Sequence, residues 1–391
     1  MRLVLVTQDF PPLRGGIQTY AAELAARLAP RCEAFTVLAP RAPGGEESDR
    51  ALGFRVLRQG TFDTLITASA PVLGRLALRE GFEHSFHVQW STAPAALALR
   101  RARQLESVTV AAHGRELLLE PWRRLGFAQR AYDAVRRHAL TQADRVLAVS
   151  RYTAGLAEGL GVLPERVTVT HNGTDPSRFR AVDTSALRAQ LRLGSRPVLV
   201  TLARLVARKG IDSVLRALPA VRRRVPDVAY VVVGEGPDDQ RLRELARANH
   251  VADIVHFAGG VTDEARPLWY SLGDVFVMPA RSEPPDVEGF GIVYLEAGAC
   301  ERPVVALRAG GVPDAVADGI SGYLVTPGEL DELADRLATL LLDPAHAAQL
   351  GKNARERVLG ELTWDRVADR VFSAISAFAP PPVTKARAAP R

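Results

Sequence analysis

The sequence predicts an α/β fold made of two doubly wound, Rossmann-like domains facing each other across a cleft. Three observations carry that expectation. The chain has 391 residues, of which 47% are hydrophobic and 24% charged, enough for two or three domains at about 150 residues apiece, each with its own core. Short apolar, β-branched runs alternate with helical patterns, the signature of βαβ units and a parallel sheet. The alternation falls into two blocks separated near Asn172-Gly173-Thr174-Asp175-Pro176, a turn cluster at which the chain can cross between domains.

The first block opens with the strand Leu3–Val6, a glycine-rich loop and an amphipathic helix around Thr19–Leu28, and includes apolar runs at Val108–Ala112 and Val146–Val149. We place this domain at residues 1–173 and a linker at 174–195. The second block starts at Pro197–Leu202 and continues through Ala229–Val233, Ile254–Phe257, Val275–Met278 and Val304–Leu307. Each run is followed by a loop and mostly by a helical pattern, which sets a second domain at 196–363. A helix over 364–378 closes the ordered chain, and the proline-rich, basic stretch 379–391 predicts a disordered tail. Ligands of open parallel sheets sit beyond the carboxyl ends of the strands, so functional residues are expected in those loops.

Composition narrows the classes further. With 31 Gly and 26 Pro the chain is neither collagen-like nor broadly disordered. Only Cys32 and Cys300 are present, far apart, which argues against a disulfide framework or a structural zinc site and for a reducing, cytoplasmic compartment. After Met1-Arg2 the apolar run LVLV ends at Thr7-Gln8-Asp9, too short for a signal-peptide core, and no run of 18 apolar residues occurs, so neither a signal peptide nor a membrane span is expected. The net charge is +6, and its excess is confined to residues 1–180, where 24 Arg face 17 acidic residues. Pairs at Arg100-Arg101, Arg123-Arg124 and Arg136-Arg137 make either a solvated basic face or a surface for an anionic partner. Arginine supplies 47 of the 50 basic residues, leaving Lys209, Lys352 and Lys385 as the only lysines.

The most informative segment is Glu288-Gly289-Phe290-Gly291-Ile292-Val293-Tyr294-Leu295-Glu296. Glycines there let the backbone approach a ligand, and the helix that follows offers free N–H groups to an anion such as a diphosphate. Glu296, about two turns beyond Glu288, can accept both hydrogens of a ribose diol. Asp286-Val287-Glu288 looks superficially like an acidic metal-binding triplet, but no second cluster of ligands accompanies it, and no metal site is expected. Positive charge comes instead from Arg204 and Lys209, directly after the strand ending at Leu202, able together to neutralise a departing diphosphate. Val233-Gly234-Glu235-Gly236-Pro237 and Ala309-Gly310-Gly311-Val312-Pro313 read as tight turns. In the first block, Gly15-Gly16 can turn backbone N–H groups toward phosphate or sugar. A lone histidine is more often structural than catalytic, but His113 follows the strand Val108–Ala112 at its carboxyl end, which makes it a candidate.

Taken together, Gly15-Gly16, His113-Gly114, Arg204 with Lys209 and the Glu288–Glu296 segment resemble the family 4 retaining glycosyltransferases of the GT-B fold, over essentially the whole chain. Within that family the sequence is most similar to the bacterial phosphatidylinositol mannosyltransferases that add the second mannose. The stretches TQDFPPLRGGIQTY, ARLVARKGIDSVLRALP and DVEGFGIVYLEAGACERPVVA carry that likeness. The resemblance implies donor contacts from Gly15 and Gly16 and phosphate contacts from Arg204 and Lys209. Gly289, Phe290, Gly291 and Ile292 would line the donor, Glu288 would bond sugar hydroxyls and Glu296 would hold the ribose. His113 would lie beside the reacting sugar, and the terminal helix would return to brace the first domain. Two departures touch the substrates: Leu13-Arg14 precede the paired glycines, and Glu283-Pro284-Pro285 replaces a glycine-rich lead-in.

By the same resemblance, GDP-mannose is the implied donor and a phosphatidylinositol-type glycolipid the implied acceptor, with no cofactor and no metal. A UDP-sugar with a soluble acceptor is the alternative within the family. The basic first half suits peripheral contact with an anionic membrane on the cytoplasmic face. A nucleotide-sugar epimerase shares the fold and needs no acceptor. A nucleic-acid partner, suggested by basicity alone, would leave the cleft motifs unexplained and is not expected.

Overall fold

The computed structural model describes residues 1–118 and 126–377. The expected tail at 379–391 and the pair Arg123-Arg124 lie outside the described residues. The first domain is a seven-stranded sheet of β1 (Arg2–Val6), β2 (Ala34–Ala39), β3 (Arg55–Arg58), β4 (His84–His87), β5 (Ser107–Ala112), β6 (Arg145–Ala148) and β7 (Val167–Val169). Its strand order is β3-β2-β1-β4-β5-β6-β7, and every pair is parallel. The second sheet holds β8 (Val198–Leu202), β9 (Ala229–Val233), β10 (Val255–Gly259), β11 (Val275–Met278), β12 (Val304–Leu307) and β13 (Gly322–Val325). It is ordered β10-β9-β8-β11-β12-β13 and is also parallel throughout.

Both sheets are covered by helices on two faces, which is why the central strands are buried along their length: all six residues of β5 and all five of β8 and β9 are buried. The helix Ile211–Arg224 shows how such a cover forms. Gly210, at φ 72°, takes the left-handed conformation that opens it. Ile211, Val214, Leu215, Leu218 and Val221 then fall on one buried stripe, and Arg222-Arg223-Arg224 close it against the negative end of the helix dipole. In each sheet the strand order reverses once, between β1 and β4 and between β8 and β11. Those two crevices are where ligands of such sheets bind.

The chain passes between the domains twice, and the two passages are bonded to each other. Thr174 donates its N–H to Leu362 at 2.8 Å and accepts from Trp364 at 3.3 Å. No side chain fits at Gly173, where a Cβ would lie 2.7 Å from the Trp364 nitrogen. Thr363 caps the last helix, Trp364–Ser376, by accepting from the Arg366 N–H. Its buried stripe of Trp364, Val367, Ala368, Val371 and Ile375 rests on the helix Gly16–Leu28 of the first domain. Tyr20 meets Trp364 edge-on at 6.2 Å, and Arg27–Asp365 (2.9 Å) and Arg31–Asp369 (2.6 Å) close the rim. The last helix is thus a structural part of the first domain.

Candidate active site

The loop after β8 carries the cationic residues. Gly234 and Gly236, read from sequence as mere turn formers, let the loop after β9 press on it: a Cβ at either would lie 1.9 Å from the Ala203 carbonyl or 2.2 Å from that of Leu205. Arg281, beyond β11, ties the loop down from the other side. Its N–H donates to the Arg208 carbonyl (2.8 Å), and its guanidinium donates to both oxygens of the buried Asp212 (2.8 and 2.7 Å) and to Ser213 Oγ (2.9 Å). So braced, the loop presents Arg208 Nη1 and Lys209 Nζ, each 2.6 Å from Glu288 Oε2.

Burial raises the Glu288 carboxyl, but the charges of Lys209 and Arg208 and their hydrogen bonds outweigh it and hold it below the ordinary carboxylate range. Glu288 is therefore ionised, and Lys209 and Glu288 form one cluster. Arg208, not given a role from the sequence, is its third member. Arg204 is exposed and pairs with no carboxylate among the described residues, leaving its fork open to a ligand.

Glu288-Gly289 is itself held by the loop after β12. Gly311 donates its N–H to the Glu288 carbonyl at 2.9 Å, and a Cβ on Gly311 would fall 1.8 Å from the Gly289 carbonyl. Gly291, at φ 91°, opens the helix Ile292–Ala299. The side chain of Phe290, expected from the sequence to line the donor, is 1% exposed and stacks on His171 with centroids 5.6 Å apart. Apolar burial claims that ring, and only the backbone at Phe290 remains for a ligand. Glu296 is buried too, its Oε2 accepting from Tyr270 at 2.5 Å and from Arg266. That leaves Oε1 free to accept hydrogen bonds from a ligand.

From the first domain, the helix Gly16–Leu28 aims its amino end at the cleft, with nothing within 4 Å of a Cβ built on Gly16. A Cβ on Gly15 would lie 2.3 Å from the side-chain oxygen of Gln18. At the β1/β4 crevice lies a polar network that the sequence reading missed. Asp9 accepts from Gln18 and from Gln89, both at 2.6 Å, and burial raises its carboxyl against those two bonds. His113, after β5, sits beside Tyr20 with ring centroids 4.8 Å apart. Its Nε2–H donates to the Val88 carbonyl at 3.1 Å, which leaves Nδ1 as an acceptor. Burial holds the ring's pKa below the ordinary histidine value, against opposing effects of Glu116 and Val88, so the ring is neutral at pH 7.

The two halves meet at the motifs themselves. A Cβ on Gly289 would lie 1.8 Å from the His113 carbonyl, and one on Gly114 would touch Val287 at 3.3 Å. Beside this contact Asp314 of the second domain accepts from the Arg151 N–H (2.5 Å) and Nε (2.6 Å) of the first and faces His171 Nε2 at 3.5 Å. Burial alone would raise the Asp314 carboxyl; the bonds from His171 and Arg151 win and hold it at about 2. Asp286 pairs across the cleft with Arg115 at 3.0 Å, so the two carboxylates of the Asp286–Glu288 triplet engage separate cations. Among the described residues no three potential metal ligands cluster.

Two parallel-sheet domains with glycine loops, an arginine–lysine cluster and a neutral histidine converging on their shared cleft suit a two-domain enzyme acting on an anionic substrate. The sequence comparisons agree with that class. Residues 14–178 match the Glycosyltransferase Family 4 model and residues 183–357 the Glycosyl transferases group 1 model. The chain is 40% identical over 390 residues to a GDP-mannose-dependent alpha-(1-6)-phosphatidylinositol monomannoside mannosyltransferase of Mycobacterium tuberculosis, covering 95% of this chain and 97% of the relative. It is 31% identical over 382 residues to the Corynebacterium glutamicum enzyme described as acting on the monoacylated monomannoside, covering 95% and 96%. Anabaena HepE, solved with UDP, superposes with a TM-score of 0.80 at 21% identity, over 96% of this chain and all of that one. Sucrose-phosphate synthase of Thermosynechococcus elongatus superposes at 0.76 and 22% identity, covering 95% and 98%. The chain belongs to the group 1, family 4 glycosyltransferases, and its two-domain architecture is GT-B.

Proposed function

We propose that this glycosyltransferase moves mannose from GDP-mannose, with retention of configuration and without a metal, to a hydroxyl of a phosphatidylinositol-type glycolipid. The observation that carries this reading is the packing of Arg208 and Lys209 on Glu288 at the one place where the second domain's donor loops touch His113 of the first. The printed activities of the 40%- and 31%-identical relatives support the donor and acceptor.

In this reading the diphosphate lies over the loop after β8. Lys209, Arg208 and the open fork of Arg204 stabilise the charge that grows on the leaving β-phosphate as the glycosidic bond breaks. No residue in these motifs is an obvious carboxylate nucleophile, so in this reading the acceptor hydroxyl attacks from the side the leaving group departs. It gives its proton to the departing phosphate oxygen. The protein orients and neutralises: Glu288 accepts from sugar hydroxyls with the oxygen that the cations leave free, Gly289 and Gly291 let the backbone approach the sugar, and His113 Nδ1 accepts from a hydroxyl. Asp9 faces the acceptor side. Cations already in place support metal independence.

A thermal-shift panel of GDP-, UDP- and ADP-sugars in chelator tests the donor: a ligand at 100 times its dissociation constant adds about 2.7 kcal/mol. A rise with GDP-mannose alone is expected, a selective rise with a UDP-sugar moves the substrate, and proton NMR of the product's anomeric centre decides retention. For the acceptor, the first domain carries Phe62 and Phe127 at 50% and 85% exposure on its basic half, which suits peripheral binding to an anionic bilayer. Pelleting with phosphatidylinositol vesicles that weakens with salt is expected. Pelleting indifferent to both anionic lipid and salt would argue for a soluble acceptor. No helix among the described residues is long and apolar enough to cross a membrane.

A further inference from the structure

A cavity of about 390 Å³ lies on the second domain away from the catalytic cleft. Pro197, Asp274 and Pro303 in its wall immediately precede β8, β11 and β12, so it opens under the amino ends of those strands. The donor loops leave from their carboxyl ends, a strand's length or roughly 15 Å away. Leu340, Leu341, Pro344 and Ala347 give the cavity an apolar wall, and Arg188, Arg302 and Lys352 bring positive charge to it. The size is in the range of small-molecule sites, and polar and apolar groups share the lining about equally.

The charges in that wall do not cancel. Arg188 spends its donors on the carbonyls of Gly194 (3.0 Å), Leu272 (3.2 Å) and Arg196 (2.5 Å), and Arg302 on those of Cys300 (2.9 Å) and Gly273 (3.2 Å). Neither arginine meets a carboxylate among the described residues. Main-chain carbonyls fix the two guanidinium groups in place and leave their charge uncompensated. Lys352, one of three lysines in the chain, is exposed and has no partner among the described residues. Of the two acids lining the cavity, Glu301 is answered by Arg355 at 3.7 Å, and Asp274 accepts the Val198 N–H at 2.7 Å. Three fixed or unpaired cations thus face one carboxylate that has no cationic partner, beside leucine and proline walls.

From this placement we infer a second ligand site, specific for a small organic phosphate: an anionic head for Arg302, Arg188 and Lys352 and an apolar or ring body against Leu340, Leu341 and Pro303. The inference is independent of the sugar-transfer reading. Arg188 and Ser195 belong to the segment joining the two domains, so an occupant would also fasten that segment to the second sheet.

The scarcity of lysine makes the site directly readable. The full chain is acetylated briefly with an amine-reactive ester and mapped by mass spectrometry, with phenyl phosphate, inorganic phosphate or benzyl alcohol present. Phenyl phosphate is expected to lower labelling of Lys352 by at least about fivefold near saturation, while benzyl alcohol leaves it unchanged. Protection confined to Lys209 would place the probe in the catalytic cleft and overturn the proposal. Equal protection by inorganic phosphate would reduce the effect to screening of one amine and overturn it too. Ala348→Glu adds a carboxylate on an exposed wall position. It should abolish protection of Lys352 without shifting the melting temperature, and protection surviving in that variant would refute the site. Arg302→Gln, should it fold, must weaken protection as well.

Discussion

At the residue scale the site turns on charges held at short range. Lys209 is both a phosphate ligand in the proposed reaction and a partner of Glu288, so Lys209→Ala removes one transition-state charge contact while Arg208 keeps the carboxylate paired. Turnover should fall by about 10²-fold or more, measured as kcat with GDP-mannose and acceptor; an unchanged kcat would remove Lys209 from the mechanism. Asp314 lends itself to a pH experiment. Its carboxyl titrates at about 2 in the folded chain against an ordinary 3.8. A depressed carboxylate contributes stability that is present above the ordinary value and lost as pH falls through the folded one. The difference amounts to about 2 kcal/mol, and denaturant melts of the wild type between pH 4 and pH 2 should show it. Asp314→Asn should flatten that limb; an unaltered acid dependence would mean that the contact with Arg151 and His171 contributes nothing to folding stability.

At the element scale, the glycines that line the cleft act as spacers between loops. Gly289→Ala places a methyl group 1.8 Å from the His113 carbonyl, so the domains must part. The expected outcome is a larger radius of gyration by small-angle X-ray scattering and a loss of activity of about 10²-fold or more, with GDP still bound. Unchanged scattering would show that the backbone absorbs the methyl locally. Much of this level was legible in the sequence. β9, β11 and β12 fall on their apolar runs, because a strand buried on both faces announces itself as an unbroken β-branched run. β4 did not stand out: its residues read His84-Ser85-Phe86-His87, and the histidines are buried because Ser107 and Thr92 bond their ring nitrogens, partners no local pattern reveals. The same reason hid Asp314 and Arg151, 163 residues apart, and the Asp9 network, whose members come from the loops after β1 and β4 and from the first turn of the helix Gly16–Leu28. Phe290 lies between two glycines expected at the donor, while its own ring packs into the hydrophobic core. Arg208 sat one residue from Lys209 in plain view; only the bend of the loop shows that both reach one carboxylate.

At the scale of the whole molecule, the two passages between domains are the feature on which stability depends. Trp364 is 2% exposed and lies where the second passage meets the first domain. Trp364→Ala should cost about 3–5 kcal/mol, and the loss should fall on the first domain. Urea unfolding followed by hydrogen exchange is expected to show early exchange in β1 and the helix Gly16–Leu28 while β8 and β9 stay protected. Simultaneous exchange of both sheets would mean that the domains unfold as one unit.

The return of the last helix also orders the events of biosynthesis. The first domain, through residue 173, is made nearly two hundred residues before Trp364, yet the groove on its helix Gly16–Leu28 is filled by Trp364–Ser376. Throughout synthesis of the second domain that groove is an apolar surface open to solvent, exposed to the hazards of incomplete chains. The domain made first is completed last, and a ribosome that stalls late leaves a nascent chain whose second domain can close and whose first cannot.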